Sequence, residues 1–509
     1  MRLDPLEDPE IQCKDADLDV ETLIVGAGIS GICAGIGLLR KSLASFVLLE
    51  AKEELGGTWR ENTYPGVAVD IPSISYSFSF ETDYPWTRHY APGHQIQAYV
   101  KHCVQKYGVG KHIRYGSKVL RSDFDSQTDT WSTHLDTGEV IRSRYLIAAT
   151  GLLSQPKLPK IPGLERFAGK SMHTARWDHD YALQGKRVAI IGTGASAVQI
   201  IPSIAPKVAH LSVFQRTATW IAPRGDFELN PSAALAPRKL PIYRTLLRFF
   251  SELSLELLTL AIVNYRRFPF LVRGIGGVVR SGMRRQVDDP ELAEKLVPNY
   301  GLGCKRPATS NTYLPTFNRD NVRLVTTKIK AITPSGVQTD DGESHEVDLL
   351  ILATGFLTTE QGNGPSFQVY GLGGVELGQY WEAHRLQSYA GVSMPGFPNF
   401  FLTAGPYSGG FNWFAMVEAH VDHILLCMDQ ARLQGATRIE VRRDAHARYM
   451  SEMWARAEGT IFKDSSCQGS NSYYLDRHGD AALPLPRTPW WRHFRNKRTK
   501  TKDYDFGGH

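Results

Sequence analysis

The sequence predicts an α/β chain built around two separate βαβ units, on three observations. Two apolar, β-branched runs, VETLIV and KRVAII, each lead directly into a glycine turn, GAGISG and GTGASA. Each turn opens a stretch of helix-like composition, and an apolar run follows it. Two further runs, YLIAATG and LLILATG, read as strands ending in the same three residues.

The first unit occupies residues 20–50. Gly26 permits the tight turn, Gly28 lets backbone approach a pyrophosphate, and Gly31 lets the helix pack close to its strand. The helix N-terminus then turns its unpaired N–H groups toward the phosphates. Glu50 lies 19 residues beyond Gly31, at the end of the next strand, where a carboxylate accepts hydrogen bonds from ribose hydroxyls. That favours FAD or NAD over a nucleotide phosphorylated at the 2′ position.

The second unit starts near Gly185. Gly192, Thr193 and Gly194 form its turn, and Ala195, Ser196 and Ala197 begin its helix, with Ala197 in the third glycine position. Its second strand ends in Arg216 and Thr217, with no acid there. A guanidinium pairs with a 2′-phosphate that a carboxylate would repel, so this unit is expected to take NADPH. Two nucleotide sites of opposite preference point to a flavoprotein reduced by NADPH. The expected architecture is two Rossmann-like domains, the NADPH domain inserted into the FAD domain. An FAD domain in two pieces (15–160 and 348–480) would enclose an NADPH domain (161–347). Residues 231–300 would form a basic, apolar helical subdomain, and 481–509 a basic tail.

Composition narrows the class. Charged residues make up 22% and hydrophobic residues 42%, ordinary for a globular chain. The net charge of +6 is concentrated: residues 237–285 hold ten basic and two acidic residues, and 487–502 hold seven basic residues and no acid. The remainder is mildly acidic, which argues against a nucleic-acid binder. Six cysteines show no metal-like or CxxC spacing, so unpaired thiols in a reducing, cytoplasmic setting and no metal site are expected. The acidic N-terminal stretch lacks the apolar core of a secretory signal. No apolar run reaches the ~18 residues of a membrane span, and the nearest, 253–263, carries Glu256.

Two longer motifs define the subclass, GGTWRENTYPGVAVD at 56–70 and FAGKSMHTARWD at 167–178. Together they resemble the two fingerprints of the Baeyer–Villiger monooxygenases, with Asp178 as the less common final residue of the second. The resemblance extends from about residue 20 to 413 and includes the CKRP stretch at 304–307. It implies an FAD- and NADPH-dependent enzyme that inserts one oxygen atom from O2 beside a ketone carbonyl, giving an ester or lactone. Such chemistry needs a fixed cation for the developing oxyanion, and the resemblance assigns that role to Arg306. It places Asp70 against this arginine, Thr58, Trp59 and Tyr76 near the flavin, and Lys305 with Arg216 and Thr217 at the 2′-phosphate. His173 is read as structural, in the linker between domains.

The C-terminal third says less. Phe411, Trp413 and Phe414 fit a pocket wall or ordinary core packing equally well. Trp490 and Trp491 beside the basic tail fit a solvated tail better than a membrane contact. A bulky, secondary-metabolite-like ketone suits the aromatic content. The alternatives are a flavin monooxygenase acting on a sulfide or amine, and an idle flavin-binding partner. The oligomeric state has no sequence signal.

Overall fold

The computed structural model describes residues 17–229, 241–358, 364–497 and 501–508. The N-terminal stretch with Cys13, the basic residues Arg238 and Lys239, and Arg498 and Lys500 of the tail lie outside them.

Two sheets, the first mixed and the second all parallel, carry the two glycine turns. In the first, Val20–Val25 lies between Phe46–Leu49 and Val140–Ala148, parallel to both. Ile113–Arg114 extends the sheet past Phe46–Leu49, and the antiparallel strands Val119–Asp125 and Thr130–Leu135 extend it on the other side. Phe400–Leu402 returns from far along the chain to pair with Val140–Ala148. The second layer is all parallel, in the order Val322–Val325, His210–Phe214, Arg187–Ile191, Leu349–Leu352, Lys170–His173. Such sheets are covered on both faces, which is why their strands read as unbroken apolar runs rather than alternating ones. Leu349, Leu350 and Ile351 are fully buried. The chain therefore leaves the first layer, completes the second and comes back, and the return falls after Leu352 rather than at residue 348, because Leu349–Leu352 pairs within the second layer.

The predicted helical segment contains Pro241–Val263, Pro269–Arg284 and Pro290–Leu296. Among the described residues no helix is long and apolar enough to cross a membrane.

Two expectations are corrected. Cys304 and Cys467 form a disulfide, 163 residues apart and buried within the second layer's core. A separation that large leaves no local spacing pattern, so the sequence could not reveal it. Closing a loop of this length stabilises the fold by about 3–5 kcal/mol on chain-entropy grounds, and burial keeps the pair from acting as an exposed redox couple. Cys33, Cys103 and Cys427 are buried free thiols.

The tail is likewise docked rather than solvated. Pro489–Lys497 is helical, and Tyr504–Gly507 pairs antiparallel with Arg438–Val441. Arg492 is 4% exposed, and its Nη1 donates to the Ser408 carbonyl at 2.5 Å.

Helix Trp413–Gln434 contains an unusual acid. Glu418 accepts from the Ser79 N–H at 2.6 Å. Burial lifts its carboxyl to about 7, although the Arg248 charge opposes the rise. The folded state thus holds a proton that the unfolded chain releases near pH 4.5, and stability falls as pH rises from there through 7. Glu418→Gln should flatten this slope and gain roughly 1–3 kcal/mol at pH 8. Urea unfolding at several pH values is the check.

Candidate active site

The first glycine turn is built for close backbone approach. A Cβ on Gly26, whose φ is +107°, would lie 2.7 Å from the Ala149 carbonyl oxygen, and one on Gly31 would lie 1.9 Å from the Gly26 oxygen. Gly28 caps helix Ile29–Lys41 and has no side chain to bond its leading N–H groups. Glu50 is held at the end of its strand by the N–H groups of Ala27 (2.9 Å) and Lys52 (3.0 Å).

The second turn repeats the plan. Gly192 (φ +111°) meets the Ala353 carbonyl, and Gly194 caps Ala195–Ile204 with no side-chain bond. Thr193 Oγ1 donates to the Thr217 carbonyl at 2.9 Å, and Thr219 Oγ1 donates to the Thr193 carbonyl at 2.6 Å. These bonds tie the turn to the chain that carries Arg216. Lys305 is held below its usual range, first by burial and then by the neighbouring Arg216 charge. Two cations this close are chemistry that could hold a dianion.

Residues 56–70 run from one cradle to the other. Gly57, at φ +55°, lies against Gly28, and the short helix Thr58–Glu61 follows. Tyr64 Oη donates to Gln199 Oε1 at 3.1 Å, and Gln199 Nε2 donates to the Ala68 carbonyl at 2.9 Å. A Cβ on Gly66 would sit 2.4 Å from Ser203 Oγ, so this segment is pressed onto the second helix. A cavity of about 640 Å³ opens beside it, lined in part by Trp59, Asn62, Tyr64, Val67 and Arg224.

At the end of this segment stands Asp70. Its carboxylate accepts from Nε and Nη2 of Arg306, both at 2.7 Å. Burial alone would lower the guanidinium, yet Asp70's charge and hydrogen bonds hold it well above its usual range. Nη2 also reaches the Phe411 carbonyl at 3.5 Å, and the guanidinium lies 5.5 Å from the Phe411 ring. Among the described residues Nη1 has no partner, so two directed N–H donors remain for a ligand. The Arg306 side chain is 24% exposed and that of Asp70 30%, so the pair is partly open to solvent.

The second segment, 167–178, interlocks with the first. Arg176 pairs with Glu61, and the His179 ring meets Thr63 Oγ1 at 2.8 Å. His173 Nδ1 accepts from the Ala175 N–H, which leaves Nε2 to donate to the Gly355 carbonyl at 3.0 Å. Burial lowers the ring's pKa below the usual imidazole range. Its two nitrogens are fully used, in agreement with a structural role. Asp178 pairs with Lys170 at 2.5 Å.

Comparisons with known proteins place the chain in a family. Residues 20–240 match the family described as flavin-binding monooxygenase-like. A Baeyer–Villiger monooxygenase of Streptomyces coelicolor is 35% identical over 476 residues, spanning 92% of this chain and 89% of the relative. The chain belongs to the Baeyer–Villiger monooxygenases. A second such enzyme, from Pseudomonas aeruginosa, is 33% identical over 89% of this chain and 84% of its own length. A solved steroid monooxygenase bound to NADP superposes with a TM-score of 0.85 at 29% identity, covering 96% of this chain and all of that one. Family membership makes this a flavin-dependent, NADPH-consuming monooxygenase. The two cradles fit its cofactors: Glu50 suits the FAD ribose, and Arg216 with Lys305 suits a 2′-phosphate.

As a Baeyer–Villiger monooxygenase the chain also holds residues that sequence reasoning missed. Gln199 ties residues 56–70 to helix Ala195–Ile204, and Asn412 caps helix Trp413–Gln434 while donating to the Ser75 carbonyl at 2.8 Å. Tyr473 and Tyr474 lie close enough to Arg306 to couple electrostatically with it. Their signal is absent locally because they lie more than 150 residues downstream. The ambiguous aromatics separate here. Phe414 is fully buried, edge-on to Tyr76 at 4.9 Å and Phe78 at 4.8 Å. Tyr76 in turn meets Trp59 at 5.7 Å. Trp413 Nε1 donates to Ser30 Oγ at 3.2 Å, and Phe411 flanks Arg306.

Proposed function

We propose that the cleft between the two cradles oxygenates a bulky, apolar ketone beside its carbonyl, with Arg306 as the catalytic cation and Asp70 as its positioning residue. The observation that carries this reading is the Arg306–Asp70 clamp, which aims the guanidinium while leaving Nη1 without a partner among the described residues. Bound FAD, reduced by NADPH, supplies activated oxygen.

The chain supplies the electrostatics. Arg306 stays charged throughout the working pH range, so it stabilises an oxyanion without surrendering a proton. Asp70 neutralises part of that charge and fixes the planar group by two parallel bonds, which removes the cost of orienting it during reaction. Gly26, Gly28, Gly31 and Glu50 would hold the FAD phosphates and ribose, with Thr58, Trp59 and Tyr76 toward the ring. Residues 192–197 with Arg216, Thr217 and Lys305 would hold NADPH. The Trp59, Tyr76 and Phe411 rings suit an apolar substrate, since few of their atoms compete for hydrogen bonds.

A side-by-side assay tests this. Cyclic, aryl and steroid ketones and a thioether are offered with NADPH and O2, and products are identified by mass and NMR. Esters or lactones formed in step with NADPH oxidation are expected, the bulkier ketones being favoured. Sulfoxide as the sole product, or NADPH oxidation without any oxygenated ketone, would overturn the reading.

A further inference from the structure

Helix Pro241–Val263 is built inside out. At about 100° per residue, Arg248, Glu252 and Glu256 share one side, and that side faces the protein. Arg248 bonds Glu252 at 2.7 Å and donates to the carbonyls of Ser77 (3.2 Å) and Phe78 (3.4 Å). Glu256 is buried and accepts from the Trp490 N–H at 3.0 Å. The opposite arc carries no charge, and its Leu246, Phe250 and Leu257 are 48%, 61% and 58% exposed. The next helix, Pro269–Arg284, touches the first and buries an apolar stripe in the ordinary way, yet it too leaves large apolar side chains outside. Val272, Gly276 and Met283 face inward, while Phe270 is 65% and Val278 75% exposed.

The charges that remain outside share one sign. Every exposed charged side chain between residues 245 and 285 is an arginine. Of these, Arg266, Arg267, Arg273 and Arg285 have no ion pair among the described residues, whereas Arg284 pairs with Glu294. A large apolar face on consecutive helices costs solubility unless something covers it. Against a second copy in a two-fold contact, this arginine rim would meet itself. Against an anionic bilayer, the apolar side chains enter the acyl boundary and the arginines reach the headgroups.

We infer that the outward faces of Pro241–Val263 and Pro269–Arg284 dock the enzyme onto an anionic membrane surface. Neither helix is long and apolar enough to span, so the attachment is interfacial. Arg248 bolts the docking helix to residues 77 and 78, immediately beyond Tyr76. The membrane-facing helix is thus tied directly to the chain beside the site wall. The tail contributes through Trp490, which stacks on Phe249 at 5.8 Å, so the surface contact lies on these helices rather than on a free tail.

Flotation of the full-length, FAD-loaded enzyme with phosphatidylcholine vesicles, with and without phosphatidylglycerol, tests this. The wild type is expected to float with the anionic vesicles and far less with the neutral ones, and added salt should release it. The double variants Phe250→Glu/Leu257→Glu and Phe270→Glu/Val278→Glu should each lower partitioning by more than about 10-fold. Arg266→Gln/Arg267→Gln should lower it about 5-fold per arginine. Retained flavin absorbance and unchanged vesicle-free turnover confirm that the variants are folded. Failure of the wild type to float overturns the inference, as does equal flotation of the glutamate variants. So does a lipid-free dimer, seen by analytical ultracentrifugation, that those variants convert to monomer.

Discussion

Arg306→Ala is expected to abolish oxygen transfer while leaving NADPH-driven flavin reduction within about an order of magnitude of wild type. The guanidinium offers Nη1 to the reacting centre, and removing one such preorganised donor commonly costs 10²–10³ in kcat. Here the donor also carries the charge, so ester formation should fall by at least ~10³-fold. The substitution strands Asp70, whose carboxylate loses both of its 2.7 Å partners. The double variant Arg306→Ala/Asp70→Asn therefore separates lost chemistry from lost folding. It should recover thermal stability and remain unable to make ester. Arg306→Lys should recover little, because an ammonium cannot keep two parallel bonds to Asp70 and still project a donor. Stopped-flow flavin bleaching, read beside product yield, is the measurement. Full product yield from Arg306→Ala would remove the residue from its assigned role.

The second large effect concerns coenzyme choice. Arg216→Ala/Lys305→Ala should lower kcat/KM for NADPH by about 10²–10³-fold, since each charged hydrogen bond to a phosphate contributes roughly 1.5–3 kcal/mol. The value for NADH should barely change, because NADH lacks the 2′-phosphate that these residues would grip. Lys305 adds a pH signature. Burial and Arg216 depress it in the free enzyme, so it sheds its proton earlier than an ordinary lysine as pH rises. KM for NADPH should climb in the alkaline range in wild type and climb less in Lys305→Ala. Equal losses for the two coenzymes would count against a 2′-phosphate contact and would point to a general defect in the second cradle.

Both effects involve residues whose chemistry is readable locally but whose partners are not. Asp70 and Arg306 are 236 positions apart, and what joins them is the passage of residues 56–70 across the face of Ala195–Ile204. Gly66 illustrates the point. In sequence it is one glycine of a fingerprint, and in the fold it is where the segment closes on Ser203 and Gln199. Likewise the Arg176–Glu61 pair shows the two fingerprints to be two sides of one contact. His173 was legible as structural, though its partners, Ala175 and Gly355, appear only when the second linker lies alongside.

Periodicity and turn chemistry act over a few residues, and whatever depends on them could be read from the chain. The two βαβ units, the order in which the layers are entered and left, and the acid-versus-arginine contrast at Glu50 and Arg216 all belong to this group. Contacts between distant segments leave no periodic trace. The Cys304–Cys467 bond, the docking of Pro489–Lys497 with Arg492 buried, and the elevated Glu418 belong to the tertiary fold. So does the orientation of Pro241–Val263: its sequence is amphipathic either way round, and which side meets water depended on what lay beneath. Arg248 found backbone carbonyls there, and that turned the leucines and phenylalanines outward.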